Sequence, residues 1–338
     1  MNRLNFRITR ILTIAITLFI PLTMIIFSGT VLATSSDESK ENDGDSGTVI
    51  TVSISTDGFE ADGQCSLREA VQAANSDLPV DSCPAGNGWD TIEVPTGTYQ
   101  LTLSGAGEDS NETGDLDILE SVTIMGDISG TVTIDGMQSD RIFHVDPADS
   151  GVTFDLQNVT VINGSSDNGG GLKAENGAAL IRNSTFSQNQ VISNGGAIYI
   201  NRGLLEIYTS TISNNTIITT SLTDDIVSEG YGGHGGGIYG HSAIIQISGS
   251  NISNNRGVNG VGLSLHSGSA TIYATKILSN SGLQYDDTRN DAYGGGIYIN
   301  EGVLEIGQSS QIAYNRLGNS SITGSGPGSS DRVRGYGG

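Results

Sequence analysis

The chain has 338 residues, 48 of them glycine, with 37 acidic against 15 basic side chains and a net charge of −22. Glycine at about twice its usual share without a Gly-X-Y period excludes collagen, and 36% apolar residues exclude a disordered chain. The acidic balance argues against a nucleic-acid partner, and the Gly, Ser, Thr and Asn content against a helical bundle, which leaves an all-β chain built on a repeat.

In chain order, Arg3, Arg7 and Arg10 come first, without an acid. An apolar stretch over residues 11–27 follows, broken by Pro21, and then Val31-Leu32-Ala33. This layout predicts a signal peptide over residues 1–33, cleaved after Ala33, with an uncleaved membrane anchor as the competing reading. Residues 34–48 read as an acidic, polar linker. The rest of the chain is expected to be secreted or held at the cell surface.

Cys65 and Cys83 are the only cysteines. An exported chain makes a disulfide between them the default, closing a loop of roughly 19 residues worth about 3 kcal/mol in the chain-entropy model. Two sulfurs without a nearby histidine make a poor zinc site. Between them, Ser66 and Glu69 fit a capping box, and Leu67, Ala70, Val71 and Ala74 recur at helical spacing. One short helix is predicted over residues 67–74.

The run Cys65-Ser66-Leu67-Arg68-Glu69-Ala70 resembles the bacterial CSLREA-domain exported proteins. The likeness extends through Asp90-Thr91-Ile92, Pro95-Thr96-Gly97-Thr98-Tyr99, Gly114-Asp115-Leu116-Asp117-Ile118, Ile134-Asp135-Gly136 and Asp140-Arg141-Ile142-Phe143, covering about residues 50–165. The resemblance implies an N-terminal cap, placed over residues 49–114, on a right-handed parallel β-helix of the pectin-lyase-like type. It implies no catalytic residue.

Gly-rich starts at 169, 195, 235, 260 and 294 define coils within residues 115–338. Their spacings, 26, 40, 25 and 34, are irregular, yet Asn189, Asn215, Asn255 and Asn280 each lie 20 residues after a start and Asn315 lies 21 after. Length variation is therefore confined to one corner, with insertions at 216–234, 281–293 and 316–336. Three apolar columns follow: Leu172, Ile198, Ile238, Leu263 and Ile297; Ile181, Ile207, Ile247, Ile272 and Ile306; and Phe186, Ile212, Ile252, Ile277 and Ile312. They predict three short strands per coil, each aiming a side chain inward. The asparagines are expected to bond free backbone groups at a bend and one another between coils. Ser184, Ser210, Ser250, Thr275 and Ser309 form a second polar column. Phe186-Ser187-Gln188-Asn189 followed by Gly195-Gly196-Ala197-Ile198 also resembles chlamydial polymorphic membrane protein repeats, which are surface β-helices. Gly335-Tyr336-Gly337-Gly338 reads as the start of a sixth coil, which predicts further coils or an anchor beyond it.

Gly233-His234-Gly235 with Asp224 and Asp225 is similar to part of a polygalacturonase site, but the Asn-Thr-Asp and Arg-Ile-Lys motifs of those enzymes do not occur. The lysines are only Lys40, Lys173 and Lys276, and no acidic cluster aligns with Arg182, Arg202 or Arg256. Asp286 and Asp287 fall in an insertion, and Glu206 and Glu305 on strands. Asp115, Asp117, Asp135 and Asp140 read as turn formers. No catalytic residue, metal ligand or cofactor is assigned, although the acidic surface could hold calcium. Tyr199, Tyr239 and Tyr298 share an outward column and are the candidate face for stacking on sugar rings. The expectation is an exported, non-enzymatic β-helix for adhesion or structural display, with a polysaccharide or cell-surface ligand. Membrane contact comes only through an uncleaved signal or a missing anchor. The alternative is a polysaccharide-active lyase or glycoside hydrolase, or a carbohydrate-binding β-helix.

Overall fold

A computed structural model describes residues 47–146, 151–218, 233–283 and 294–316. The signal segment, nearly all of the linker, most of each insertion (with Asp224, Asp225, Asp286 and Asp287) and the Gly335–Gly338 start lie outside the described residues.

The chain is a parallel β-helix: every strand pairs in parallel with the strand one coil before or after it. Parallel strands joined by crossovers within one sheet wind right-handed. One ladder runs from Val49–Thr51 through Asp90–Val94, Val122–Gly126, Thr153–Gln157, Ala178–Arg182 and Leu204–Tyr208. A second runs from Leu116–Ile118 through Phe143–Val145, Leu172–Glu175 and Ile198–Asn201. The long strands Ile238–Ser248, Leu263–Tyr273 and Ile297–Ile306 span both ladders and join them into one 13-stranded sheet. A third ladder of eight strands runs from Gly97–Gln100 to Gln311–Ala313. The strands of residues 90–100 pair with those of residues 122–135, so the sheets run unbroken through position 114.

The predicted columns pair in register: Leu172 with Ile198, Ile181 with Ile207, and Phe186 with Ile212. These six side chains are fully buried, and each such burial contributes about 1.5–3 kcal/mol. Ile306 holds its place opposite Ile272 but is 41% exposed, because it lies in the last described coil.

Two details differ from the sequence reading. A fourth, short strand follows the asparagine corner in four coils, Gln190–Asn194, Thr216–Ile217, Arg256–Gly257 and Ser281–Gly282, and with Ser165–Asn168 these form a five-stranded sheet. The insertions after Asn215 and Asn280 therefore begin beyond this strand, not at the asparagine. In the hydroxyl column, Ser310 accepts from the Thr275 amide (3.4 Å), while Ser309 takes the left-handed bend at φ 63°. The last coil carries one extra residue, which shifts the hydroxyl one place.

Each coil start uses two glycines differently. Gly195 turns the chain at φ 66°, and a Cβ on Gly196 would collide with the carbonyl oxygen of Gly236 in the next coil.

The helix is Leu67–Ser76, with both hydrogen bonds of the capping box formed by Ser66 and Glu69. It packs on the edge strands Val49–Thr51 and Leu116–Ile118 and on Asp90–Val94, the neighbour of the first. Cys65 and Cys83 form a disulfide with Cα atoms 5.0 Å apart.

Candidate functional site

Outward side chains of the second ladder stack in register along the coil axis. One column reads Asp117, His144, Lys173, Tyr199, Tyr239, Ser264 and Tyr298. Two residues further along each strand, a parallel column reads Glu175, Asn201, His241, His266 and Asn300. With His234, whose ring lies 6.0 Å from both Tyr239 and Tyr298, this strip gathers all four histidines of the chain. The outward face of the first ladder mixes charged, aromatic and apolar residues, such as Arg182, Glu206, Tyr208 and Ile244. In the third ladder Thr98, Thr133, Thr160, Thr185 and Thr211 form a plain threonine column.

Neighbouring coils bond along the strip. His144 Nδ1 lies 3.2 Å from Asp117 Oδ1 and 3.4 Å from Asp109 Oδ1. Lys173 Nζ lies 2.6 Å from Glu175 Oε2 and 3.5 Å from His144 Nε2. Asn201 Nδ2 donates to Glu175 Oε1 at 3.5 Å. Burial works to raise the Glu175 carboxyl, but the hydrogen bond and charge of Lys173, with Asn201 and His144, outweigh it and hold the group below its usual range. The rings of His241 and His266 stack at 5.1 Å, and His266 Nδ1 meets Asn300 Nδ2 at 2.9 Å. Burial first, then the neighbouring His266 and Arg202, depress the His241 imidazole below its usual range.

The three tyrosines share the expected column but do not form one platform. Tyr199 and Tyr239 stack on each other at 5.4 Å, and Ser264 stands between Tyr239 and Tyr298. Tyr239 is 9% exposed, and burial, then Tyr199, push its hydroxyl up to about 12. Outward rings one coil height apart pack face to face, about 4.8 Å being the strand spacing. Tyr199 and Tyr239 therefore cover each other's facing ring surfaces, while Tyr298 has Ser264 as its neighbour in the column.

The asparagine column is a continuous amide ladder. The amide N–H and Nδ2 of Asn189 both donate to Asn215 Oδ1 at 3.0 Å, and the same pair of bonds links Asn215 to Asn255, Asn255 to Asn280 and Asn280 to Asn315. The remaining Nδ2 proton goes back one coil, to a carbonyl such as that of Phe186 for Asn215 (3.1 Å). The first four asparagines are fully buried.

The cap holds a feature the sequence left unread. Arg68 is fully buried, forks onto Asp57 (Nε–Oδ1 2.6 Å) and donates to the carbonyls of Gly114 (2.7 Å) and Asp115 (2.9 Å). Asp115 pairs with Arg141 at 2.7 Å. Burial nevertheless pushes Asp115 up to about 6, with Arg141 opposing and the Asp117 and Asp140 carboxylates adding to the rise. Of the expected turn formers, Asp135 accepts from the Met137 amide and Asp140 from the Arg141 amide. Arg182 is ion-paired with Asp155, and Arg202 bonds Asn176 Oδ1 at 3.0 Å.

Sequence reading found the tyrosines and missed the rest of the strip. The Glu175-to-Asn300 column was readable from the same alignment, six residues after each Gly-rich start. His144 and Asp117 were not, since their coils lack the glycine start.

No family model matches the sequence, and no curated protein matches it. A solved structure of pectate lyase Pel9A superposes with a TM-score of 0.46 and 15% identity, over 78% of this chain and 62% of that one. The chain thus spans less than two thirds of that enzyme's length, and neither its reaction nor its residues transfer at this likeness.

Proposed function

We propose that the protein is an exported β-helix of the CSLREA type whose polar strip binds an extended, hydroxyl-rich ligand, a linear glycan, in adhesion or surface display and without chemistry of its own. The observation that carries this is the pair of in-register columns, which places two polar side chains at each coil height from Lys173 and Glu175 to Tyr298 and Asn300 along one face. A linear glycan repeats its hydroxyls at a comparable spacing, so successive coils can meet successive sugars. A signal segment over residues 1–33 would deliver the chain to where such polymers are found.

The second reading, a polysaccharide-active enzyme, is favoured by the run Asp117–His144–Lys173, which places an ammonium beside an imidazole backed by a carboxylate. Lys173 is tied to Glu175, which suits holding a ligand better than abstracting a proton.

Affinity electrophoresis of the full chain through gels containing neutral or acidic polysaccharide tests both. Retardation by at least one polymer is expected, lost in the Tyr199→Ser/Asn201→Ala/Tyr298→Ser variant. Retardation unchanged in that variant removes the strip as the binding surface. Release of unsaturated or reducing ends by the wild type decides for the enzyme.

A further inference from the structure

We propose that Asp109, Asp117 and His144 form a site for one divalent cation of the zinc type at the N-terminal end of the strip. The proposal does not rest on glycan binding. Their three ligand atoms lie within 4.8 Å of one another. His144 Nδ1 is 3.2 Å from Asp117 Oδ1 and 3.4 Å from Asp109 Oδ1. A tetrahedral ion about 2.0–2.1 Å from each ligand spaces them roughly 3.3–3.4 Å apart, so these two edges fit without rearrangement. Two carboxylate oxygens converge on a single ring nitrogen that can carry only one proton. An ion bonded to all three atoms satisfies both carboxylates, where a lone proton cannot serve both well.

The ligands are held in place beforehand. Asp117 is 1% exposed, and its other oxygen accepts the Asn111 amide at 2.8 Å, which leaves Oδ1 turned to the imidazole. His144 is 3% exposed and sits on Phe143–Val145, between the strands of Asp117 and Lys173. Asp109 has a side chain 68% exposed, so the fourth position faces solvent. Behind the ring, Glu175 Oε2 lies 3.8 Å from Nε2.

A second trio, His144, Asp146 and Glu175, also approaches ligand spacing. It is already neutralised, since the Lys173 ammonium lies 2.6 Å from Glu175. The Nδ1 side has no such cation among the contacts described. One imidazole with two carboxylates selects a zinc-type ion over calcium or magnesium, which prefer all-oxygen cages.

The full chain, stripped with EDTA and titrated with Zn²⁺, is expected to bind one equivalent. Asp109→Asn and His144→Gln should abolish that binding. His241→Gln/His266→Gln should leave it intact, and excess Ca²⁺ should not displace the ion. Asp109 is exposed, so its variant keeps the fold and reads the site even if His144→Gln unfolds. No Zn²⁺ bound, binding undiminished in Asp109→Asn, loss in the His241/His266 variant, or displacement by Ca²⁺ would each overturn the proposal.

Discussion

Tyr239 points away from the coil interior and is still 9% exposed, with Tyr199 on one face and the His234 ring 6.0 Å away. Its hydroxyl, pushed up to about 12 by burial, keeps its proton in the folded state at a pH where an unfolded tyrosine, near 10, has lost it. The sign follows from linkage: the native state binds more protons, so stability is full below about 10 and falls as pH rises towards 12. Tyr239→Phe has no proton to lose. It should therefore show a smaller drop in urea midpoint between neutral and strongly alkaline pH than the wild type. An identical drop in both would show that this hydroxyl is not the group responsible. The sequence identified the tyrosine column from its spacing. It could not give the stacking, because that depends on which side chain each neighbouring coil places opposite.

At the scale of the element, the residues that open the helix Leu67–Ser76 each have a structural partner. Cys65 joins the disulfide, Ser66 and Glu69 close the capping box, Leu67 and Ala70 enter the core, and Arg68 ties the helix to the loop before Leu116–Ile118. Removing one partner of a buried ion pair costs about 3–5 kcal/mol. Arg68→Met should lose stability of that order by urea unfolding, and Arg68→Lys should recover little, since an ammonium cannot fork onto a carboxylate. Adding Asp57→Asn to Arg68→Met should restore part of the loss. No recovery would place the cost in packing instead. The helix, its cap and the disulfide were legible because they are local patterns. Arg68 was not, since it donates to carbonyls 46 and 47 residues away, where no periodicity points.

Across the whole molecule, stability accumulates from coil to coil, and the asparagine ladder carries part of it. Truncating Asn215 leaves the amide donors of Asn189 without their shared acceptor and removes one donor from the Phe186 carbonyl. Each group left unpaired costs about 1–3 kcal/mol. Asn215→Ala should lower the melting temperature markedly. Asn315→Ala should lower it less, since Asn315 lies in the last described coil and is 8% exposed. Equal losses would show that the ladder adds nothing beyond local bonds at each bend. The glycine corner was readable because glycine marks it. The corner before each asparagine was not, since its left-handed residues are Gln188, Asn214, Asn254, Ser279 and Tyr314, which share no common chemistry. The fourth strand was hidden for a related reason: at two to five residues it is too short to show an apolar period.

By itself, the sequence determined the coil. Apolar residues recurring at fixed offsets, glycines at one corner and asparagines at another can be satisfied together only if each turn of chain lies in register on the last. The 48 glycines and the absence of long helical periods set that outcome before any coordinate is known. Only the tertiary structure decided what the outside of the coil does. Stacking places Asp117 beside His144, and His144 beside Lys173, across gaps of 27 and 29 residues. No local pattern encodes that meeting. It arises because the height of one coil brings residues distant in the chain to hydrogen-bonding distance, on a face where packing leaves their identity free.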